Sequence, residues 1–155
     1  MEIVHTNIEI YSAIATEAFA KMRRLNSEHV KPNTDGSGYI ISYDPNYESL
    51  KSAMIVIVFT GMWLEALLHQ EIVKRYSRSD FDKVDRNSYE EKLKMLGFND
   101  EFLLKQVKRF RETRKELMHE KAYQDSGSIK TAQEEASLAN EIMCVIAQQL
   151  ARQHG

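Results

Sequence analysis

The feature that most constrains this chain is an apolar stretch between Ser52 and Val73. It reads "SAMIVIVFTGMWLEALLHQEIV". Apolar residues there occupy every side of an ideal helix, which is typical of a central helix packed on all faces. The β-branched run "IVIV" favours a strand by propensity, but the stretch continues without any turn residue, which favours a helix. We therefore predict a central helix over residues 52–73 with Trp63 mostly buried.

Two further features bear on the cellular compartment. The wholly apolar part, "AMIVIVFTGMWL", ends at Glu65 after about a dozen residues, whereas ~20 are needed to cross a bilayer. The beginning of the chain has no basic segment leading into an apolar one, as a secretory signal would. Cys144, the single cysteine, stands in "IMCVIA" and is expected to be a core residue in a reducing compartment. We expect a cytoplasmic protein with no membrane partner.

Helical spacing recurs in three other long segments, approximately residues 3–28, 99–123 and 129–152. Between the first and the central helix, "KPNTDGSGYIISYDPNY" is rich in proline and glycine, which predicts a loop in which "YIISY" can be extended. Its end suggests Asp44 as the N-cap of the central helix and Pro45 as its first residue. These segments would pack as a helical bundle.

A short helix is predicted at "SYEEKLKMLG". Ser88 with Glu91 three residues later forms a capping-box pattern, and Gly97 is a helix stop. Asn99 is the expected cap of the long helix that follows. The preceding segment, "SRSDFDKVDRN", is interpreted as a polar break. The whole chain, residues 1–155, is thus predicted to be one all-α domain, a bundle of four long helices plus one short helix.

The charge distribution directs attention to the helix predicted at 99–123. The chain carries a formal net charge of −2, so a contact with nucleic acid requires a local basic patch. Residues 105–121 contain seven basic residues against three acidic ones, a local balance of +4. Within the same helix Phe102, Leu103, Val107, Phe110 and Leu117 form an apolar stripe.

Arg114 falls on that stripe where helical spacing would place a leucine, and His119 follows five residues later. A guanidinium group binds two phosphate oxygens at once, and an imidazole transfers protons near neutral pH. Arg114 and His119 are therefore candidate catalytic residues for phosphate chemistry. On an ideal helix the two are about 140° apart, so one helix alone does not direct both at one point. The alternative without a functional site is a solvated basic face, in which the Arg114 side chain extends along the apolar surface to reach solvent.

The segment "RKELMH" resembles the Arg-x4–6-His motif of HEPN-domain ribonucleases. The similarity extends to its context: an apolar helix containing "GMWLEALL", a short helix, the motif helix, a loop and an alanine-rich closing helix. It covers approximately residues 47–152. The resemblance implies an HEPN-like bundle that acts as a metal-independent RNA endonuclease and forms a homodimer through the 99–123 helix. The two motif helices would then share one cleft at the two-fold axis.

Carried onto this chain, the resemblance implies an acid–base role for His119 and a phosphate-stabilising role for Arg114. Glu65, set in the apolar helix, could orient either of them or contact His69 one turn later. The basic side chains near the motif would bind RNA; they are Lys108, Arg111, Lys115 and Lys121. Lys115 departs from the family, which often has Asn, Asp or His after the arginine, so a hydrogen-bond acceptor is lost. HEPN nucleases often resemble toxins that a partner protein, such as a nucleotidyltransferase, neutralises. The resemblance therefore implies a possible antitoxin partner for this chain.

Two alternatives remain open from the sequence. The first is a non-catalytic HEPN module that binds RNA, a nucleotide or a partner protein. The second is a carboxylate-bridged metal bundle, since Glu116 and His119 form one Glu-x-x-His pair and Glu65 with His69 could face it. Di-iron bundles need that pair on two helices, and this chain has it once. We therefore expect no metal and no cofactor.

Overall fold

A computed structural model of the protein describes residues 5–41, 46–118 and 132–155. The helices in these ranges are α1 (Ile8–His29), α2 (Glu48–Arg75), α3 (Arg78–Val84), α4 (Tyr89–Met95), α5 (Glu101–Met118) and α6 (Ala132–His154). A short antiparallel hairpin, β1 (Val30–Pro32) and β2 (Tyr39–Ile41), follows α1. The prediction of an all-α fold is confirmed, and this hairpin contains the described part of the predicted extended segment; the last two residues of "YIISY" lie outside the described residues.

The central position of α2 follows from its apolar composition. The helix contacts all five other helices of the described structure, and Trp63 is only 4% exposed, so both predictions for this segment are confirmed. At 28 residues α2 is also long and apolar enough to cross a membrane by length and composition alone. Half of its most apolar window is buried inside the fold, as in the core helix of a globular domain.

The ends of α4 are built by the local signals that the sequence carries. The Ser88 hydroxyl accepts a hydrogen bond from the Glu91 backbone, and the Glu91 carboxylate accepts one from the Ser88 backbone, which confirms the capping box. At the other end Gly97 has a φ of 89°, a conformation that glycine adopts without steric cost. The Phe98 amide then bonds to the Leu93 carbonyl, closing the turn and directing Phe98 into the core.

Other helix boundaries differ from the sequence prediction. Asp100, not Asn99, caps α5, because the Asp100 carboxylate accepts from the Phe102 amide at 2.9 Å. The start of α2 is at Glu48, after Tyr47 in a left-handed conformation with φ of 53°, so the helix does not begin at Pro45. Asp44 and Pro45 themselves lie outside the described residues.

The interpretation of "SRSDFDKVDRN" as a break between helices was wrong, because the segment contains α3. Ser77 begins that helix by accepting a hydrogen bond from the Asp80 amide at 3.1 Å. The described structure thus has two short helices beside the four long ones, where the sequence predicted one.

Two expected core residues are on the surface. Phe102 is 67% exposed, because it lies in the first turn of α5 and one position before the inward-facing Leu103. Cys144 is exposed although it follows the buried Ile142 and Met143, because its position in α6 turns away from the core. The rest of the α5 stripe is confirmed: Leu103, Val107 and Phe110 are buried, and Leu117 packs against the core.

Candidate functional site

Arg114 lies in the last two turns of α5 and packs its side chain directly on α2. A methyl group added at Gly61 would be 2.2 Å from Arg114 Nε and 2.4 Å from its Cδ. Only a residue without a side chain leaves this space, so the glycine in α2 makes the approach of the arginine possible. The Nε atom is buried there and has no hydrogen-bond partner among the described residues.

The guanidinium group is held at its other end by a closed network of three side chains. Arg114 Nη1 donates to Glu65 Oε1 and to the Tyr89 hydroxyl, both at 2.7 Å. The Tyr89 hydroxyl in turn donates to Glu65 Oε1 at 2.7 Å. The Arg114 side chain is 20% exposed and that of Glu65 50% exposed, so the network lies at the surface. Glu65 therefore lies where it can orient Arg114, one of the arrangements considered from the sequence.

Tyr89 is the member of the network that sequence reasoning missed. It occupies the first position of α4, immediately after the Ser88 cap, and its side chain is buried. Burial, followed by the hydrogen bond to Glu65, raises the pKa of Tyr89 well above its usual value. The hydroxyl therefore stays protonated and can both donate to Glu65 and accept from Arg114.

The remaining basic residues of α5 divide into two groups. Arg109 donates through Nε and Nη2 to the buried Glu135 of α6, and Arg111 donates through Nε and Nη2 to Glu90 of α4. These hydrogen bonds raise the pKa values of both guanidinium groups. The second group consists of three exposed lysines of α5, which are Lys105, Lys108 and Lys115.

The exposed face of α5 is consequently less basic than the sequence count indicates. Three glutamates are exposed beside the lysines; they are Glu101, Glu112 and Glu116. Of the four residues predicted to bind RNA, Lys108 and Lys115 point to solvent and Arg111 is engaged with Glu90. The fourth, Lys121, and the predicted acid–base residue His119 lie outside the described residues.

The alternative partners considered for Glu65 are not formed. His69 makes no hydrogen bond or ion pair with Glu65 in the described part of the chain; its ring stacks on Phe81, with centroids 4.1 Å apart. Glu116 is exposed on α5, while Glu65 is committed to Arg114 and Tyr89. Within residues 5–41, 46–118 and 132–155, no group of three or more acidic, histidine or cysteine side chains could hold a metal ion.

A groove of about 640 Å³ adjoins the network, with Glu65 and Tyr89 in its wall. Residues from α1 to α4 and the turn between α3 and α4 line the rest; they include Tyr11, Met62, His69, Phe81, Asp85, Asn87 and Lys92. The groove thus meets the network at the two partners of Arg114, not at Arg114 itself. A partly exposed guanidinium fixed by a carboxylate and a phenol can bind an anionic group.

Comparison of the chain with protein-family models, with curated proteins and with solved structures gives no match. Its functional assignment therefore depends on the residues and geometry described above.

Proposed function

We propose that this protein is a metal-independent RNA endonuclease of the HEPN type. The observation that carries the proposal is the setting of Arg114. Its Nη1 is fixed by Glu65 and Tyr89, while Nη2 donates to no described residue and the side chain remains partly exposed. A fixed guanidinium whose Nη2 donates to no described residue is suited to stabilising charge on a phosphate, because this donor is already oriented before the substrate binds.

In the proposed reaction a base removes the proton from the ribose 2′-hydroxyl, and the 2′-oxygen attacks the adjacent phosphorus. The bond from phosphorus to the 5′-oxygen breaks, and that oxygen takes a proton. The products are a 2′,3′-cyclic phosphate and a 5′-hydroxyl end. His119 would supply the proton transfer, and Arg114 would stabilise the negative charge on the phosphoryl oxygens. Glu65 and Tyr89 would hold Arg114 in place.

The proposal includes a homodimer whose interface contains α5. On an ideal helix Arg114 and His119 would be about 140° apart. Two copies of the helix in a dimer could still line one cleft with both residue types. The resemblance stated above further suggests a cytoplasmic toxin or defence effector with a neutralising partner such as a nucleotidyltransferase.

The decisive experiment incubates purified protein with a defined single-stranded RNA in EDTA. We expect cleavage with 2′,3′-cyclic phosphate ends and loss of activity by about 10²–10⁴-fold in His119→Ala. Arg114→Ala should lose a comparable amount, and Arg114→Lys should recover little, because an ammonium group lacks the planar fork. His5→Ala and Arg24→Ala, exposed residues outside the lining of the groove, are the matched controls. Intact RNA with the wild-type protein, or unchanged activity in His119→Ala, would overturn the proposal.

A non-catalytic HEPN module that binds RNA, a nucleotide or a partner protein is the second candidate. The observation that favours it is the pairing of Arg109 and Arg111 with glutamates, which leaves α5 with a mixed exposed face. Fluorescence anisotropy with labelled RNA separates the two candidates. A non-catalytic RNA module would bind the RNA and leave it uncut, with equal affinity in wild type and His119→Ala.

A further inference from the structure

The groove beside Glu65 and Tyr89 contains side chains that the proposed cleavage step does not use. His69 stacks on the ring of Phe81, and the Lys92 ammonium lies over the same ring, 5.3 Å from its centroid. Phe81 is thus engaged by two neighbours, whereas the imidazole of His69 has one face that no described ring covers. His69 lies in the wall of the groove, where an aromatic ring can stack on a planar ligand.

The groove contains two carboxylates with acceptor oxygens that no described residue uses, those of Glu65 and Asp85. The Asp85 carboxylate makes no hydrogen bond with a described residue, and the Asp85 carbonyl already accepts from Lys92 Nζ at 2.6 Å. Glu65 uses only Oε1 in the network with Arg114 and Tyr89. The single donor of Tyr89 is thereby occupied, and the Lys92 ammonium uses one of its three N–H donors on the Asp85 carbonyl. Asn87, two residues after Asp85, adds one amide group to the same wall.

The complementary ligand is flat and presents adjacent N–H donors. Among the RNA bases, guanine alone has two neighbouring N–H donors on its Watson–Crick edge, with an acceptor oxygen beside them. A carboxylate can accept both donors, and the Asn87 amide can donate to the oxygen. A cationic ligand would meet the Lys92 ammonium in the same groove, and the two positive charges would repel each other.

We propose that this groove is a guanine-binding subsite, with the base stacked on His69 and its Watson–Crick edge on Asp85. The proposal deepens the nuclease function and rests on it for the identity of the ligand as RNA. The neighbouring phosphate of the bound nucleotide would then lie toward Arg114, so the subsite would select the nucleotide next to the cleaved bond.

The test is calorimetric titration of the purified protein with guanosine 5′-monophosphate, uridine 5′-monophosphate and L-argininamide. We expect the guanine nucleotide to bind about tenfold or more tightly than the uracil nucleotide, as for a base read by a bidentate contact. Asp85→Asn should abolish that preference, while Asp82→Asn, an exposed aspartate three residues away and outside the groove, should keep it. His69→Ala should weaken both nucleotides, and His69→Phe should restore stacking.

Equal binding of the two nucleotides, preferential binding of L-argininamide, or an unchanged preference in Asp85→Asn would overturn the subsite. Its failure is distinguishable from that of the nuclease. Cleavage of RNA without selective guanine binding would refute the subsite alone, and selective guanine binding without cleavage would refute the nuclease alone.

Discussion

At the scale of single residues, Gly61 and Arg114 depend on each other. The arginine side chain occupies the volume that any side chain at position 61 would need. A glycine within a helix costs about 0.5–1 kcal/mol relative to alanine, so the contact is maintained against local helix propensity.

Gly61→Ala should accordingly have opposite effects in two backgrounds. In the wild type it should destabilise the protein by about 1–2 kcal/mol, because Arg114 must leave Glu65 and Tyr89. In Arg114→Ala it should stabilise by about 0.5–1 kcal/mol, because only the gain in helix propensity remains. Urea denaturation of the four proteins measures both effects. Ala66→Gly, on the same helix, is the control and should cost the same in both backgrounds; a similar change of sign there would contradict the argument.

Tyr89 should make the protein sensitive to alkaline pH. Its pKa is raised in the folded state, so above about pH 10 the unfolded chain loses the phenolic proton first and folding becomes less favourable. Tyr89→Phe should cost about 1–2 kcal/mol at pH 7 through lost hydrogen bonds. That difference from wild type should shrink by up to about 1.4 kcal/mol per pH unit above 10. Denaturation at pH 7, 9, 10 and 11 tests this, and a constant difference would refute it.

At the scale of elements, α5 is joined to three neighbours by arginine–carboxylate pairs. Arg109 reaches Glu135 of α6, Arg111 reaches Glu90 of α4, and Arg114 reaches Glu65 of α2. The pair with Glu135 is the most buried on its acidic side, since that side chain is only 2% exposed and also accepts from Thr113 at 2.9 Å. A buried carboxylate without its partner is costly.

Arg109→Ala should therefore destabilise the protein by about 2 kcal/mol, less than for a fully buried pair because the arginine is half exposed. Lys108→Ala, its exposed neighbour, should change stability by less than about 0.5 kcal/mol. Adding Glu135→Gln to Arg109→Ala should recover part of the loss, because a neutral amide is less costly to bury. Thermal or urea unfolding of the four proteins gives these values; equal costs for Arg109→Ala and Lys108→Ala would exclude this role of the pair.

The sequence predicted helix interiors better than helix ends. Apolar periodicity identifies the buried faces of α5 and α6, because a whole stripe of residues contributes to the signal. The central helix α2 is identified instead by its apolar residues on every side. A boundary depends on one or two side chains, and adjacent candidates such as Asn99 and Asp100 have nearly equal capping tendencies. The short helix α3 has no buried residue and so produces no apolar pattern.

The candidate site was predictable only in part, for a similar reason. Arg114 interrupts an apolar stripe, which is visible in a single helix. Glu65 is a charged residue in an apolar segment and is visible in the same way. Tyr89 begins a segment whose sequence is typical of a surface helix. Its partners Glu65 and Arg114 are 24 and 25 residues away in sequence. Only the packing of α4 against α2 and α5 brings its hydroxyl to them.

At the scale of the whole molecule, the proposed homodimer gives a direct measurement. Light scattering at micromolar concentration should show about twice the 18.0 kDa mass of the chain. Phe102, exposed on α5, is the apolar residue expected to be covered in that dimer. Phe102→Glu should shift the mass toward the monomer, whereas Ile10→Glu, similarly exposed on α1, should leave it unchanged. A wild-type protein that stays monomeric would exclude the dimer.

The arginine–carboxylate pairs of α5 have a consequence for polyanion binding. When a phosphate replaces a glutamate as the partner of an arginine, the phosphate releases a counterion but the unpaired glutamate attracts one. The net release of counterions is therefore small. Among the basic residues of α5, the exposed lysines can neutralise phosphates without such an exchange; they are Lys105, Lys108 and Lys115. Three contacts to a single strand correspond to a slope of about −2 in log affinity against log salt concentration. Binding at α5 would therefore be weakly electrostatic, and selectivity would depend on the groove more than on charge.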